Sequence, residues 1–234
     1  MTTNGATMSM PQSRDGDTGQ RIADALRDGI LHGTYPPGTR IRQEDVAEEF
    51  GASRLPVREA LRILESDGLV TLVANTGAWV AQLGLEECQE VYQIRERVEP
   101  LLLGYSMPNL TAQTLDRLDE LADTMQRGTD VETFLHLDRE FHLLSYSGAD
   151  TVILSDLVRR LWNTTQHYRR AFALLIGPDE NRAVHFEHHL LVAALRREDQ
   201  DEAERVLFGH IRRTRLELLK HPELFAGTGA SPMR

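Results

Sequence analysis

The sequence predicts a mainly α protein in two parts: three amino-terminal helices closed by a β-hairpin, then six helices long enough to bury a core of their own. Apolar residues recur at helical spacing up to glycine-marked stops, and the spacing changes once, just after Gly68, to the alternation of strands. From Leu85 to His221 only helical periods remain. A chain of 234 residues can bury such a core without disulfides or structural metals.

Residues 1–17 are polar and aperiodic and read as a disordered tail ahead of a module at 18–82. From Gln20, the residues Ile22, Leu26, Ile30 and Leu31 share one face, and the run stops at Gly33. A second helix follows in Gln43–Phe50, with Val46, Ala47 and Phe50 inward. A third opens with Ser53 as N-cap, tolerates Pro56 in its first turn, and carries Val57, Leu61 and Leu64 as an apolar stripe up to Gly68. Three helices with a tight turn between the last two make a helix-turn-helix. Leu69–Val73 and Ala78–Ala81, joined across Asn75-Thr76-Gly77, read as a hairpin, which in that place is a wing. Further helices are expected at about 85–106, 111–127, 130–147, 151–176, 179–197 and 200–220. Pro100 should kink the first of these, because Leu101, Leu102 and Leu103 continue its apolar face. The bundle is thus expected at 85–221, with a second disordered tail at 226–234.

Composition excludes several classes. With 26 basic against 36 acidic residues the net charge is −10, which argues against coating nucleic acid without specificity. Lys220 is the only lysine, so anion recognition must use guanidinium forks. A single cysteine, Cys88, excludes an intramolecular disulfide and a Cys-rich zinc module and fits a reducing compartment. There is no bilayer-spanning apolar run and no signal pattern, so a soluble cytoplasmic protein with no membrane partner is expected.

Arg54, Arg58 and Arg62 recur every four residues and form one ridge of the third helix, whose other face is core. Such a ridge suits the major groove, where arginine forks guanine or holds phosphate. It equally suits a solvated face paired with Glu59 and Glu65. The wing behind it favours DNA, with the tip at Asn75 and Thr76 reaching the minor groove.

Residues 20–82, above all the stretch SR-x-PVREAL-x-x-L-x-x-x-GLV, resemble the winged-helix domain of GntR-type bacterial transcription regulators. The resemblance implies that Arg54 and Arg58 contact double-stranded DNA, with Ser53 and Arg62 on the same helix, Arg42 a weaker contact, and Asn75 and Thr76 at the wing tip. Leu55 and Thr76 depart from the Thr and Arg often found there, which should weaken affinity rather than abolish it.

In the second part Asp138 and His142, four residues apart, project from one helix face, while His188 and His210 belong to later helices. One Asp and three His suit zinc, nickel or another borderline divalent ion. Among nine histidines, an Asp/His pair at this spacing is also an ordinary hydrogen bond. The pattern D-x3-H, then EH-x-LL-x2-AL-x3-D, then His210 at 22 residues after His188, resembles the FCD domain found behind GntR-type winged helices, an antiparallel helical bundle, and six helices resemble its shorter VanR-like subgroup. That resemblance implies a divalent ion, with zinc preferred, held by Asp138, His142, His188 and His210, with His185 and His189 as decoys, and a small carboxylate effector beside it. Arg95 is the first candidate to hold the carboxylate, and an intrahelical pair with Glu99 is its alternative. Arg170, with Asn163 and His167 on one face of the 151–176 helix, is the second; Trp162 and Tyr168 read as packing residues.

The expected function is therefore a ligand-responsive repressor of a metabolic operon, a homodimer on a palindromic operator, and not an enzyme. A metal-dependent hydrolase and a ligand-independent architectural DNA-binding protein are the alternatives; H-E-x-x-H, G-x-S-x-G and a Walker loop are all absent. Residues 1–82 carry net −3, yet residues 52–64 carry net +2, which predicts weak, salt-sensitive non-specific binding and useful affinity only at two readable half-sites.

Overall fold

The structure, a computed structural model, describes residues 14–74, 77–177 and 182–225. It is mainly helical, as the periodicity predicts. The first module holds α1 (Arg14–Leu31), α2 (Gln43–Glu49) and α3 (Arg54–Ser66), with strands β1 (Arg40–Ile41), β2 (Val70–Val73) and β3 (Gly77–Val80). The second holds α4 (Leu85–Ser106), α5 (Ala112–Gln126), α6 (Val131–Ser145), α7 (Leu154–Ile176), α8 (Arg182–Arg196) and α9 (Gln200–Leu218). Helix α1 starts at Arg14, inside the segment read as a tail, so residues 14–17 are helical. Residues 1–13 and 226–234 lie outside the described residues.

The wing has one strand more than the alternation predicted. In the antiparallel order β1-β3-β2, Trp79 pairs with both Arg40 and Thr71. A two-residue strand is too short to show a period, which is why β1 escapes a pattern-based reading. Ser53 takes the N-cap position of α3, but its hydroxyl makes no capping bond. Caps do operate in the bundle: Thr111, Asp130 and Asp199 accept from the amides of Thr114, Thr133 and Glu202 at 3.0–3.1 Å. Helix α4 runs on through the buried Pro100.

Each module has its own core. Ile22, Leu26, Val57, Leu61 and Leu64 close the first, and Tyr92, Leu103, Phe141, Trp162 and Tyr168 centre the second. Tyr168 also fastens the linker, its hydroxyl accepting from Leu83 N at 2.7 Å and donating to Leu83 O at 2.8 Å. Helix α7 forms most of the seam between the modules, with Arg160 and Thr164 against Gly68 and Arg170 against Gly33.

Gly68 carries a testable cost. Its φ is +74°, and an added Cβ would lie 2.6 Å from Cγ of Arg160. Gly68→Ala is expected to destabilise the protein by about 1–2 kcal/mol from the left-handed backbone alone. Denaturant unfolding should show this; an unchanged midpoint would mean that the turn after α3 relaxes freely.

Candidate metal centre and nucleic-acid face

Helices α6, α8 and α9 bring Asp138, His142, His188 and His210 together, with one ligand atom from each lying within 4.8 Å of the others. All four are buried. Nε2 of His142 stands 3.2 Å from Nε2 of His210, and Nε2 of His188 stands 3.3 Å from Oδ1 of Asp138 without aligning for a hydrogen bond. Oδ1 of Asp138 and Nε2 of His188 are thus enclosed with no hydrogen-bond partner, a costly condition for polar atoms. An ion bound at about 2.0–2.2 Å by each ligand removes that cost, and its ligand atoms stand at most about 4.4 Å apart, close to the spread seen. The donor set therefore fits a divalent metal.

The surroundings hold the donors in their ligating forms. Burial pushes the Asp138 carboxyl up, but Arg169, bonded to Oδ2, and His142 more than offset this and hold it well below the carboxylate range. Burial pushes His142 well below the usual imidazole value and takes His188 down to about 4, despite Asp138 beside both. Neutral imidazoles keep a lone pair for a metal. Glu187 accepts from Nδ1 of His210 at 3.1 Å and is itself held by Arg213 at 2.9 Å, which turns Nε2 of His210 into the cluster. The decoys point elsewhere: His189 bonds Gln126 on α5, and His185 packs on Phe134. Neither Glu187 nor Arg169 was singled out by sequence, although one precedes His188 and the other precedes Arg170.

The predicted anion partners are dispersed. Arg95 takes the alternative: it is buried, bonds Glu99 and Thr165, and lies over the rings of Tyr92 and Trp162. Arg170 pairs with Glu132 at 2.6 Å and, with the half-buried His167, faces the seam rather than the bundle cavity. Asn163 uses its amide across the seam, bonding Asp67 O at 2.9 Å. Arg169 reaches the centre through its bond to Asp138, and Arg139, the residue after Asp138, lies 5.9 Å from the Trp162 ring, which in turn lies 5.2 Å from His142. Burial and the charges of Arg169 and Arg95 push Arg139 down to about 10. Trp162 is thus more than packing, since its Nε1 also donates to Glu99 at 3.0 Å. The cavity touching the centre, bounded by Phe134, Asp138, Arg169, Phe172 and His210, is only about 30 Å³.

At the other end of the molecule Arg54, Arg58 and Arg62 are exposed on α3. Arg58 and Arg62 line a groove of about 610 Å³ between α3, β1 and the hairpin, together with Arg42 and with Arg40, which sequence reading passed over. Arg54 stands 3.2 Å from Glu44 on α2. Asn75 and Thr76, the predicted wing tip, lie outside the described residues.

Comparison with known proteins agrees with both modules. Residues 18–80 match the bacterial regulatory proteins of the gntR family, and residues 90–213 match the FCD domain. The HTH-type transcriptional regulator McbR of Escherichia coli is 29% identical over 184 residues, covering 77% of this chain and 83% of McbR. The gluconate operon transcriptional repressor of Bacillus licheniformis is 28% identical, covering 79% of this chain and 78% of that protein. The solved structure of E. coli McbR/YncC superposes with a TM-score of 0.76 at 28% identity, covering 87% of this chain and 98% of that one. These relatives are transcription regulators, not enzymes. A winged helix with an arginine ridge, followed in one chain by a helical bundle with an Asp/His cluster, places this protein in the GntR family of DNA-binding transcription regulators, with an FCD domain behind the winged helix.

Proposed function

We propose that the protein is a homodimeric repressor of a metabolic operon in the bacterial cytoplasm, and that a small carboxylate effector acting at a metal ion in the bundle releases it from a palindromic operator. The enclosed, unsatisfied Asp138 Oδ1 and His188 Nε2 carry the metal part of this reading. Asp138, His142, His188 and His210 hold the ion, zinc by preference, and the ion supplies a Lewis-acid anchor for an acid. Arg169 and Arg139 take the anion-recognition role expected of Arg95 and Arg170: Arg169 bonds Asp138, and Arg139, next to Asp138 in the chain, has no ion-pair partner among the described residues and an enclosed Nη1 without a hydrogen bond. A cavity of about 30 Å³ admits an ion and a water but not a metabolite, so effector entry must displace part of its wall, and this displacement is the mechanical event the bundle can pass on. The relative that represses a gluconate operon supports a target operon for acid metabolism.

Arg42, Ser53, Arg54, Arg58 and Arg62 form the DNA-reading face, with Asn75 and Thr76 completing it at the wing. Ile94, Leu101 and Tyr105, exposed along one side of α4, support pairing of two bundles. The six bundle helices favour the VanR-like subgroup.

His188→Ala is expected to lower bound zinc to background while the helical circular dichroism stays intact. Elemental analysis of the purified protein checks it; unchanged metal content removes His188 from the site. Genome-wide recovery of bound DNA fragments tests the regulator itself, and a bound site next to an operon for acid metabolism is the expected result.

A further inference from the structure

Asn163 was singled out as an effector ligand, but its amide is already engaged on both sides of the seam between the modules. It is buried on α7. Its Nδ2 donates to the carbonyl of Asp67 at 2.9 Å, and its Oδ1 accepts from Nη2 of Arg139 at 2.5 Å. The partners dictate the orientation of the amide, because a guanidinium only donates and a carbonyl only accepts. Asp67 is the C-cap of the recognition helix α3, and its carboxylate takes two bonds from Arg27 of α1, at 2.8 and 3.2 Å. Asn163 therefore holds one of the carbonyls that a helix end leaves without an internal partner.

Arg139 is the residue after Asp138. Among the described residues Asn163 is its only hydrogen-bond partner, and Nη1 is enclosed with none. Burial and then the charges of other guanidiniums, Arg169 foremost, weigh most on it, while Asp28, Glu132 and Glu140 line the groove beside it. Trp162 lies close to both, and Asp138 neutralises Arg169. Any event that draws charge from Asp138 exposes Arg139 to the full repulsion of Arg169, and the bond through which Arg139 can pass this on is the one to Asn163. The seam leaves room for a response: a groove of about 300 Å³ runs between α1, α6 and α7. A polar interface of this kind permits relative motion of the two modules.

We propose that Asn163 is the positioning residue that sets the recognition helix against the bundle and carries the electrostatic state of the Asp138 centre to it. This rests on the regulatory reading of that centre, but its test needs neither metal, effector nor operator. The readout is amide hydrogen exchange in the full-length protein over residues 66–70, where the amides of Asp67, Gly68 and Leu69 bond back into α3. Asn163→Asp keeps a partner for Arg139 but sets a carboxylate against the Asp67 carbonyl. It is expected to speed exchange at 66–70 about tenfold, with exchange in α5 unchanged. Asp138→Asn is expected to change the same amides about threefold in the wild-type background and not in the Asn163→Asp background. If Asn163→Asp does not fold, Asn163→Ala takes its place in the cycle. Equal effects of Asp138→Asn in both backgrounds, or unaltered exchange at 66–70 on changing Asn163, overturn the proposal. Loss of zinc from His188→Ala, or its absence from the wild type, bears on the metal reading alone.

Discussion

Arg58→Ala is expected to remove specific operator binding while leaving the fold intact. The side chain projects from α3 away from Val57, Leu61 and Leu64, which close the core of the module, so its truncation creates no cavity. It lines the groove between α3, β1 and the hairpin, and in the proposed docking its fork would reach a guanine edge. Each such pair discriminates by about 1–3 kcal/mol. The proposed dimer would lose two, about 2–6 kcal/mol, or roughly 30-fold to 10⁴-fold in affinity. A fluorescence anisotropy titration against the recovered operator, with circular dichroism as control, measures it. Specific binding within threefold of wild type would take Arg58 out of the base-reading set.

The largest expected loss of stability comes from Glu99→Ala. Glu99 is 0% exposed and accepts from Arg95, from the Tyr146 hydroxyl at 2.8 Å and from Trp162 Nε1 at 3.0 Å. Its removal strands the Arg95 charge in the core with Thr165 as its remaining hydrogen-bond partner. Breaking one side of a buried pair costs about 3–5 kcal/mol, because the surviving ion has lost both water and counter-charge. Glu99→Gln should fall between, since it keeps an acceptor but not the charge. Denaturant unfolding followed at the bundle's tryptophan gives the difference; a cost below about 1 kcal/mol would mean that water reaches Arg95 when Glu99 is gone. Arg95 would then again be a candidate for binding a free acid.

The two residues show why the parts of the molecule differ in legibility. Arg58 was readable from sequence because a ridge of arginines at spacing four on a helix with an apolar back puts its side chains in solvent, whatever packs behind. Arg95 was ambiguous, because Glu99 one turn away satisfies it as well as a ligand would. Its burial between Tyr92 and Trp162 depends on helices far apart in sequence.

Helix periodicity, the glycine stops and the period change after Gly68 were enough to predict a winged helix-turn-helix followed by six helices, because these patterns are local. Residue types and spacing made Asp138, His142, His188 and His210 candidates, the resemblance to the FCD domain selected them from nine histidines, and the tertiary structure then brought all four within ligand distance. What only tertiary structure decided is what surrounds that cluster. Arg169 rather than Arg170 meets Asp138, since one residue turns a helix by about 100° and separates the bundle side of α7 from the seam side. The strand β1 exists because β3 offers it an edge. Asn163 spans two modules because α3 ends where α7 passes, a meeting of residues 96 positions apart that no local pattern encodes.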